Sequence, residues 1–108
     1  MFVSTNRIRL TRGAGPELEE SFSRRAGLEG QPGFLRFELW KLDRQEEHDE
    51  YLVVTHWESE SAHAAWTGSE AFKQAHAGPR PDFLLGPGEI KAYQVRLVSA
   101  PEGVMRPS

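Results

Sequence analysis

The side chains best suited to metal or acid-base chemistry in this sequence are its four histidines, because it has no cysteine. His76 ends the segment EAFKQAH, where an imidazole can ligate a metal, move a proton or cap a helix end. His48, His56 and His63 have no obvious second ligand nearby, and no two histidines show the i, i+4 spacing of a helical zinc motif. For His76 the capping and metal-binding roles both stay open.

Two other side chains are noteworthy for their positions. Asn6 lies in the segment FVSTNRIRL on the strand face that also carries Phe2 and Ile8, where a buried amide must bond to backbone, water or a ligand. Trp66 ends a short amphipathic segment, where a large aromatic residue packs in a core or interface and sometimes stacks on a ligand. Taken separately, each is compatible with a purely structural role.

Composition excludes several classes of function. The 16 acidic and 13 basic residues give a net charge of -3 and form no basic stripe, so we expect no nucleic-acid partner. The absence of cysteine excludes thiol nucleophiles, disulfides and thiolate metal sites. No P-loop, GxGxxG or GxSxG motif is present. No apolar run approaches the roughly 20 residues of a membrane span and no secretory signal begins the chain, so we expect a cytoplasmic protein without a membrane partner.

Hydrophobic periodicity and turn residues predict six main elements, in the order strand, helix, strand, strand, helix region, strand. The predicted strands are residues Phe2–Thr11, Phe34–Leu42, Tyr51–Trp57 and Glu89–Ser99. The first helix begins near Pro16 and stops at Gly27, and Ser59 and Ser69 cap two short helices in the second helical region. This order is that of the ferredoxin-like, or split βαβ, α+β fold. Residues 1–100 are expected to form one domain and residues 101–108 a flexible tail.

The predicted strands carry apolar residues on both faces, although helices can cover only one face of such a sheet. In the second strand, strict alternation places Leu35, Phe37 and Leu39 on one face and Phe34 and Trp40 on the other. A second copy presenting the same sheet would cover the free face. We therefore predict a homodimer in which two sheets form a dimeric α/β barrel.

Three segments together resemble a known family. They are GQPGF at Gly30–Phe34, YLVVTHWES at Tyr51–Ser59 and AWTGSEAFKQAH at Ala65–His76. With Asn6 on the first strand, they resemble the IsdG-type haem-degrading monooxygenases, a branch of the antibiotic-biosynthesis-monooxygenase (ABM) superfamily, over residues 2–99. The first two segments report mainly on the fold. The specific feature is the combination of Asn6, Trp66 and His76.

The resemblance implies a function and a role for each of these residues. His76 would be the proximal iron ligand, and the amide of Asn6 would donate a hydrogen bond to oxygen on the opposite side of the iron. Trp66 would press on the porphyrin and distort it. Haem would serve as both substrate and cofactor, O2 as the oxidant, and a separate reductase as the electron donor, because the chain has no redox motif of its own.

The resemblance also suggests further pocket residues and leaves rival functions open. Phe22 would form an apolar wall and Arg25 would bind a haem propionate. The loop Pro79–Gly88 would either close over haem or pack in the core. The alternatives are a cofactor-independent quinol or polyketide monooxygenase of the same fold and a non-enzymatic haem carrier.

Overall fold

The protein folds around one four-stranded antiparallel sheet in a computed structural model that describes residues 1–24 and 27–107. The strands are β1 (Phe2–Leu10), β2 (Phe34–Lys41), β3 (Asp49–Trp57) and β4 (Glu89–Gln94). Their order across the sheet is β2-β3-β1-β4, and every neighbouring pair is antiparallel. This is the ferredoxin-like order, so the predicted subunit fold is confirmed.

Three helices lie on one face of the sheet, and two of them begin at predicted caps. They are α1 (Gly15–Ser23), α2 (Glu60–Thr67) and α3 (Glu70–Ala75). Ser59 caps α2, its Oγ accepting from the backbone N–H of Ala62 at 3.1 Å, and Ser69 caps α3 in the same way. Both predicted caps are confirmed. The last residue of α1 is Ser23 and its C-cap is Arg24, so the helix ends before the predicted stop at Gly27, and of the residues between them 25 and 26 lie outside the described residues.

Two hydrophobic clusters hold the helices on the sheet. One contains Leu10, Leu18 and Tyr51, and it attaches α1 to β1 and β3. The Tyr51 hydroxyl donates to the Glu19 carboxylate at 2.5 Å, and burial, followed by this bond, raises the pKa of Tyr51 well above its ordinary value. The other cluster contains Phe2, Trp57 and Trp66, and it attaches α2 to the opposite end of the same strands. The helix-facing side of the sheet is therefore well packed at both ends.

A β-bulge in β2 changes which residues face the helices. The register with β3 shifts between Phe34 and Arg36, so Phe34 lies opposite Trp57 and their ring centroids are 5.4 Å apart. The extra residue, Leu35, is exposed. Strict alternation predicted that Leu35 shares a face with Phe37 and that Phe34 lies on the other face, and this prediction is wrong. A bulge inserts one residue and so reverses the facing of all residues before it.

The loop before β4 packs against the core. Phe83 and Leu84 contact the cluster around Leu10. The backbone holds this segment in place, since Thr11 N–H donates to the Phe83 carbonyl and Leu85 N–H donates to the Arg9 carbonyl, each at 2.8 Å. Of the two predicted roles for this loop, the structure therefore displays core packing.

The chain after β4 does not continue the sheet. The predicted last strand, Glu89–Ser99, ends at Gln94, and a separate hairpin follows, formed by β5 (Val98–Ala100) and β6 (Gly103–Met105). Gly103 adopts φ of 129°, a conformation that glycine allows at the turn. The hairpin includes residues 101–105 of the predicted flexible tail. Within residues 1–24 and 27–107 no helix has the length and hydropathy required to cross a membrane.

The cap of α3 gives a test of how this helix is held. Ser69 Oγ accepts from Phe72 N–H at 3.1 Å and its hydroxyl donates to the Trp66 carbonyl at 2.6 Å. We expect Ser69→Ala to lower the free energy of unfolding by about 1 kcal/mol, because both partners lose their bond. Urea denaturation measures this loss. Ser99→Ala, on the exposed middle of β5, is the control, and an equal loss in both variants would contradict the assigned role of the cap.

Candidate functional site

A cavity of about 250 Å³ lies between the sheet and the helices. Its floor comes from alternate residues of the strands, with Ser4 opposite Thr55 and Asn6 flanked by Val53 on β3 and Ile90 on β4. The remaining wall comes from α1, α2, α3 and the segment before β2; its residues are Phe22, Leu28, Glu29, His63, Trp66, Thr67, Phe72, Ala75 and His76. The cavity is therefore mostly apolar with a small number of polar groups, as is typical of a ligand site.

His76 is held in one orientation at the C-terminal end of α3. Its Nδ1 lies 2.9 Å from the Phe72 carbonyl, which can only accept, so Nδ1 carries the hydrogen and donates. The ring also lies against the Phe72 ring, with centroids 4.1 Å apart. In this tautomer Nε2 retains its lone pair, which is the arrangement that a metal-binding histidine requires. In the described part of the chain, no three His, Asp or Glu side chains form a metal-binding group.

Asn6 places an amide in the floor of the same cavity. Its Oδ1 is buried, and neither polar atom of the side chain is hydrogen-bonded within residues 1–24 and 27–107. The amide packs so closely on Gly88 that a side chain there would overlap with it. A buried amide without a partner costs about 1–3 kcal/mol, so it favours a ligand with a complementary polar group. The buried unpaired atom is the acceptor Oδ1, whereas the role that the sequence predicts for Asn6 is donation from its NH2 group, and that role stays a prediction.

Trp66 and Phe22 supply aromatic walls. Trp66 is 9% exposed and packs edge-on against Phe72, with centroids 5.6 Å apart. Phe22, from α1, lies 5.4 Å from the ring of Phe37 on β2. The structure thus brings Asn6, Trp66, His76 and Phe22 to one cavity. Arg25 lies outside the described residues.

His63 is a cavity residue that the sequence did not single out. Its ring packs 5.3 Å from Phe2 and 5.6 Å from Trp57, centroid to centroid. Burial lowers the pKa of His63 below its ordinary value of 6.5, and the nearby charge of Glu60 offsets only part of this effect. One signal was available in the sequence, because His63 precedes Trp66 by three residues and so shares its face of α2.

Comparison with known proteins places the fold and cavity in a family. The sequence profile named antibiotic biosynthesis monooxygenase matches residues 1–78. This match covers most of the chain, so the chain belongs to the antibiotic biosynthesis monooxygenase family.

Two relatives with similar sequences are haem-degrading enzymes. A haem-degrading monooxygenase of Shouchella clausii is 38% identical over 103 residues, which are 94% of this chain and 95% of the relative. A mycobilin-producing haem oxygenase of Mycobacterium tuberculosis is 43% identical over 96 residues, 88% of this chain and 89% of the relative. The resemblance drawn from the sequence is confirmed.

Solved structures agree with the sequence comparison. The haem degrader MhuD of Mycobacterium tuberculosis, with two haems bound in its active site, superimposes with a TM-score of 0.75 at 41% identity, covering 93% of this chain and 100% of that one. A cofactor-independent oxygenase of Streptomyces nogalater superimposes with a TM-score of 0.62 at 22% identity, covering 88% of this chain and 93% of that one. The second likeness shows the shared fold alone.

Burial of His63 predicts a pH dependence of stability. The unfolded chain takes up this proton near pH 6.5, whereas the folded chain takes it up at a lower pH. Because the unfolded state binds more protons in that interval, stability is complete above pH 6.5 and decreases as the pH falls below it. We expect the unfolding free energy of the native protein to fall relative to that of His63→Phe between pH 7 and pH 5, measured by urea denaturation. A constant difference across this range would contradict the assignment.

Proposed function

We propose that this protein binds haem through His76 and opens the porphyrin oxidatively with O2, using electrons from an external reductase and releasing iron. The observation that carries the proposal is that one cavity collects Asn6 from β1, Trp66 from α2 and His76 from the end of α3. Haem-degrading relatives with 38% and 43% identity over most of the chain support the same function.

His76 is the proposed iron ligand. Donation from Nδ1 to the Phe72 carbonyl fixes the tautomer, so that Nε2 is the basic nitrogen, and the contact with the Phe72 ring limits rotation of the imidazole. Both features reduce the ordering that binding requires. A single protein ligand also leaves the opposite side of the iron open.

Asn6 is the proposed hydrogen-bond donor to the reacting oxygen. Its amide is preorganised in the rigid centre of the sheet, between β3 and β4, and it has no bond within the described chain that would have to break first. In a cavity lined mostly by apolar groups such a bond is stronger than in water. The role of Asn6 is therefore to orient and stabilise.

The aromatic residues act through shape. Trp66 is packed against Phe2 and Trp57, so its side chain cannot move away from a bound macrocycle. We propose that it forces the porphyrin out of plane. Phe22 closes the α1 side of the cavity. Arg25 is proposed as the propionate partner from its residue type and the family resemblance. The haem itself supplies the redox chemistry, while the protein binds, orients and excludes water.

We propose in addition that the working unit is a homodimer. The sheet face away from the helices carries Leu52, Val54, Trp40 and Tyr93, and the side chains of Trp40 and Tyr93 are each half exposed. Val54 is already buried in the single subunit, and covering this face with a second copy through a twofold axis would remove the exposed parts of Trp40 and Tyr93 from water. Two sheets packed in this way form the predicted dimeric barrel.

The function is tested by titrating the apoprotein with haemin and following the Soret band. The native protein should bind saturably, and the band should then decay in air with ascorbate and catalase, with iron release. We expect His76→Ala to weaken haem binding at least about 100-fold. Asn6→Ala should leave affinity nearly unchanged and slow decay about 100-fold, because its bond acts in the transition state.

His48→Ala, which removes a histidine from the β2–β3 connection, is the control and should behave as the native protein. A native Soret band in His76→Ala would refute the ligand assignment, and native decay in Asn6→Ala would refute the assigned bond. Stable ferric haem under reductant and air would indicate a carrier. Absence of haemin binding together with O2 uptake on a hydroquinone would indicate the cofactor-independent monooxygenase.

The dimer is tested by sedimentation equilibrium at micromolar concentration. We expect a dimer for the native protein and at least about 100-fold weaker association for Trp40→Glu, because a charge would be buried in the centre of an apolar face. Leu85→Glu changes a similarly exposed side chain in the loop before β4 and should remain dimeric. A native monomer would refute the proposal.

A further inference from the structure

Like Asn6, and unlike the threonine hydroxyls of the cavity, His63 has unused hydrogen-bonding capacity. The Thr67 hydroxyl donates to the Ala64 carbonyl at 3.1 Å, and the Thr55 hydroxyl donates to the Ser4 carbonyl at 3.4 Å. Among residues 1–24 and 27–107, neither ring nitrogen of His63 has a hydrogen-bond partner. Its ring nevertheless packs on both Phe2 and Trp57.

The position of His63 relative to Asn6 sets the size of ligand that reaches both. On the floor, the pair Phe2 and Trp57 lies below His63, the pair Ser4 and Thr55 comes next, and Asn6 follows. Four residues of strand separate Phe2 from Asn6, a distance of about 13 Å. A ligand that reaches both side chains must therefore extend along most of this floor, and His63 would meet it at its rim.

The chemistry of His63 defines what that rim should carry. Burial lowers the pKa of the ring, so the imidazole is uncharged at neutral pH and offers one N–H donor and one acceptor nitrogen. Without a partner, these groups lose their hydration when a hydrocarbon rim covers them. A hydroxyl or carbonyl oxygen at the same place restores the lost bond.

We propose that His63 is a specificity residue that hydrogen-bonds an oxygen-bearing substituent on the rim of the bound tetrapyrrole, so that the cavity favours an oxygenated rim over a hydrocarbon one. This inference rests on the proposed haem-binding function. It adds a ligand preference to that function, and it involves no contact with the iron.

Two iron porphyrins of nearly equal size provide the test. Iron mesoporphyrin carries two ethyl groups, and iron haematoporphyrin carries 1-hydroxyethyl groups at the same positions. Absorbance titration gives a Kd for each, and the ratio of the two values isolates the effect of the hydroxyls. We expect His63→Phe to shift this ratio about tenfold against iron haematoporphyrin, as one lost hydrogen bond implies. His63→Leu should give the same shift if the larger Phe disturbs packing.

Two further variants make the result specific. His63→Gln retains a donor and an acceptor and should recover most of the native ratio. Thr67→Val removes a cavity hydroxyl that is already bonded within α2, and it should leave the ratio unchanged. An unchanged ratio in both His63→Phe and His63→Leu, or an equal shift in Thr67→Val, would overturn the inference.

The outcomes separate the inference from the function on which it rests. If the native protein binds both porphyrins with a ratio that does not depend on residue 63, the inference fails and the haem-binding function stands. If the native protein binds neither porphyrin, both fail.

Discussion

The packing of Trp57 is the interaction on which the rest of the site depends. Its side chain is completely buried and contacts Phe2, Phe34 and Trp66, so it joins β1, β2 and α2 to β3. Its indole N–H has no partner within the described chain, a cost of about 1–3 kcal/mol that the burial of so large a ring must offset. With α2 fixed in this way, the short turn at Gly68 and the cap at Ser69 determine where α3 begins and hence where His76 lies.

The cavity exists because the centre of the sheet carries small and polar residues between two groups of large ones. Along the helix-facing side of β1, Phe2 belongs to one hydrophobic cluster and Leu10 to the other, while Ser4 and Asn6 lie between them. On β3, Trp57 and Tyr51 mark the same two ends. The two clusters hold the helices at a fixed distance from the sheet. The shorter side chains between the clusters cannot fill the space between helices and sheet. Rigidity at both ends preserves the opening in the middle.

The bulge in β2 and the end of β4 are the two features of the sheet that the sequence did not predict. Alternation in FLRFELW is broken by one inserted residue, and no local feature of the sequence marks whether the insertion is at Phe34 or Leu35, because the pairing with β3 decides it. The end of β4 at Gln94 could not be predicted either, because the residues after it alternate as in a strand but pair with each other in a separate hairpin. Caps were predictable because Ser59 and Ser69 act on N–H groups only three residues away.

The sequence by itself determined the order of the main elements, the helix caps and the family, and through the family it predicted Asn6, Trp66 and His76 as site residues. These depend on local periodicity and on residue types at fixed spacing. Only the tertiary structure decided that these side chains share one cavity, that the His76 tautomer is set by the Phe72 carbonyl, and that His63 joins them. The reason is that cavity membership depends on strand register and helix packing between residues far apart in the chain, which no local pattern records.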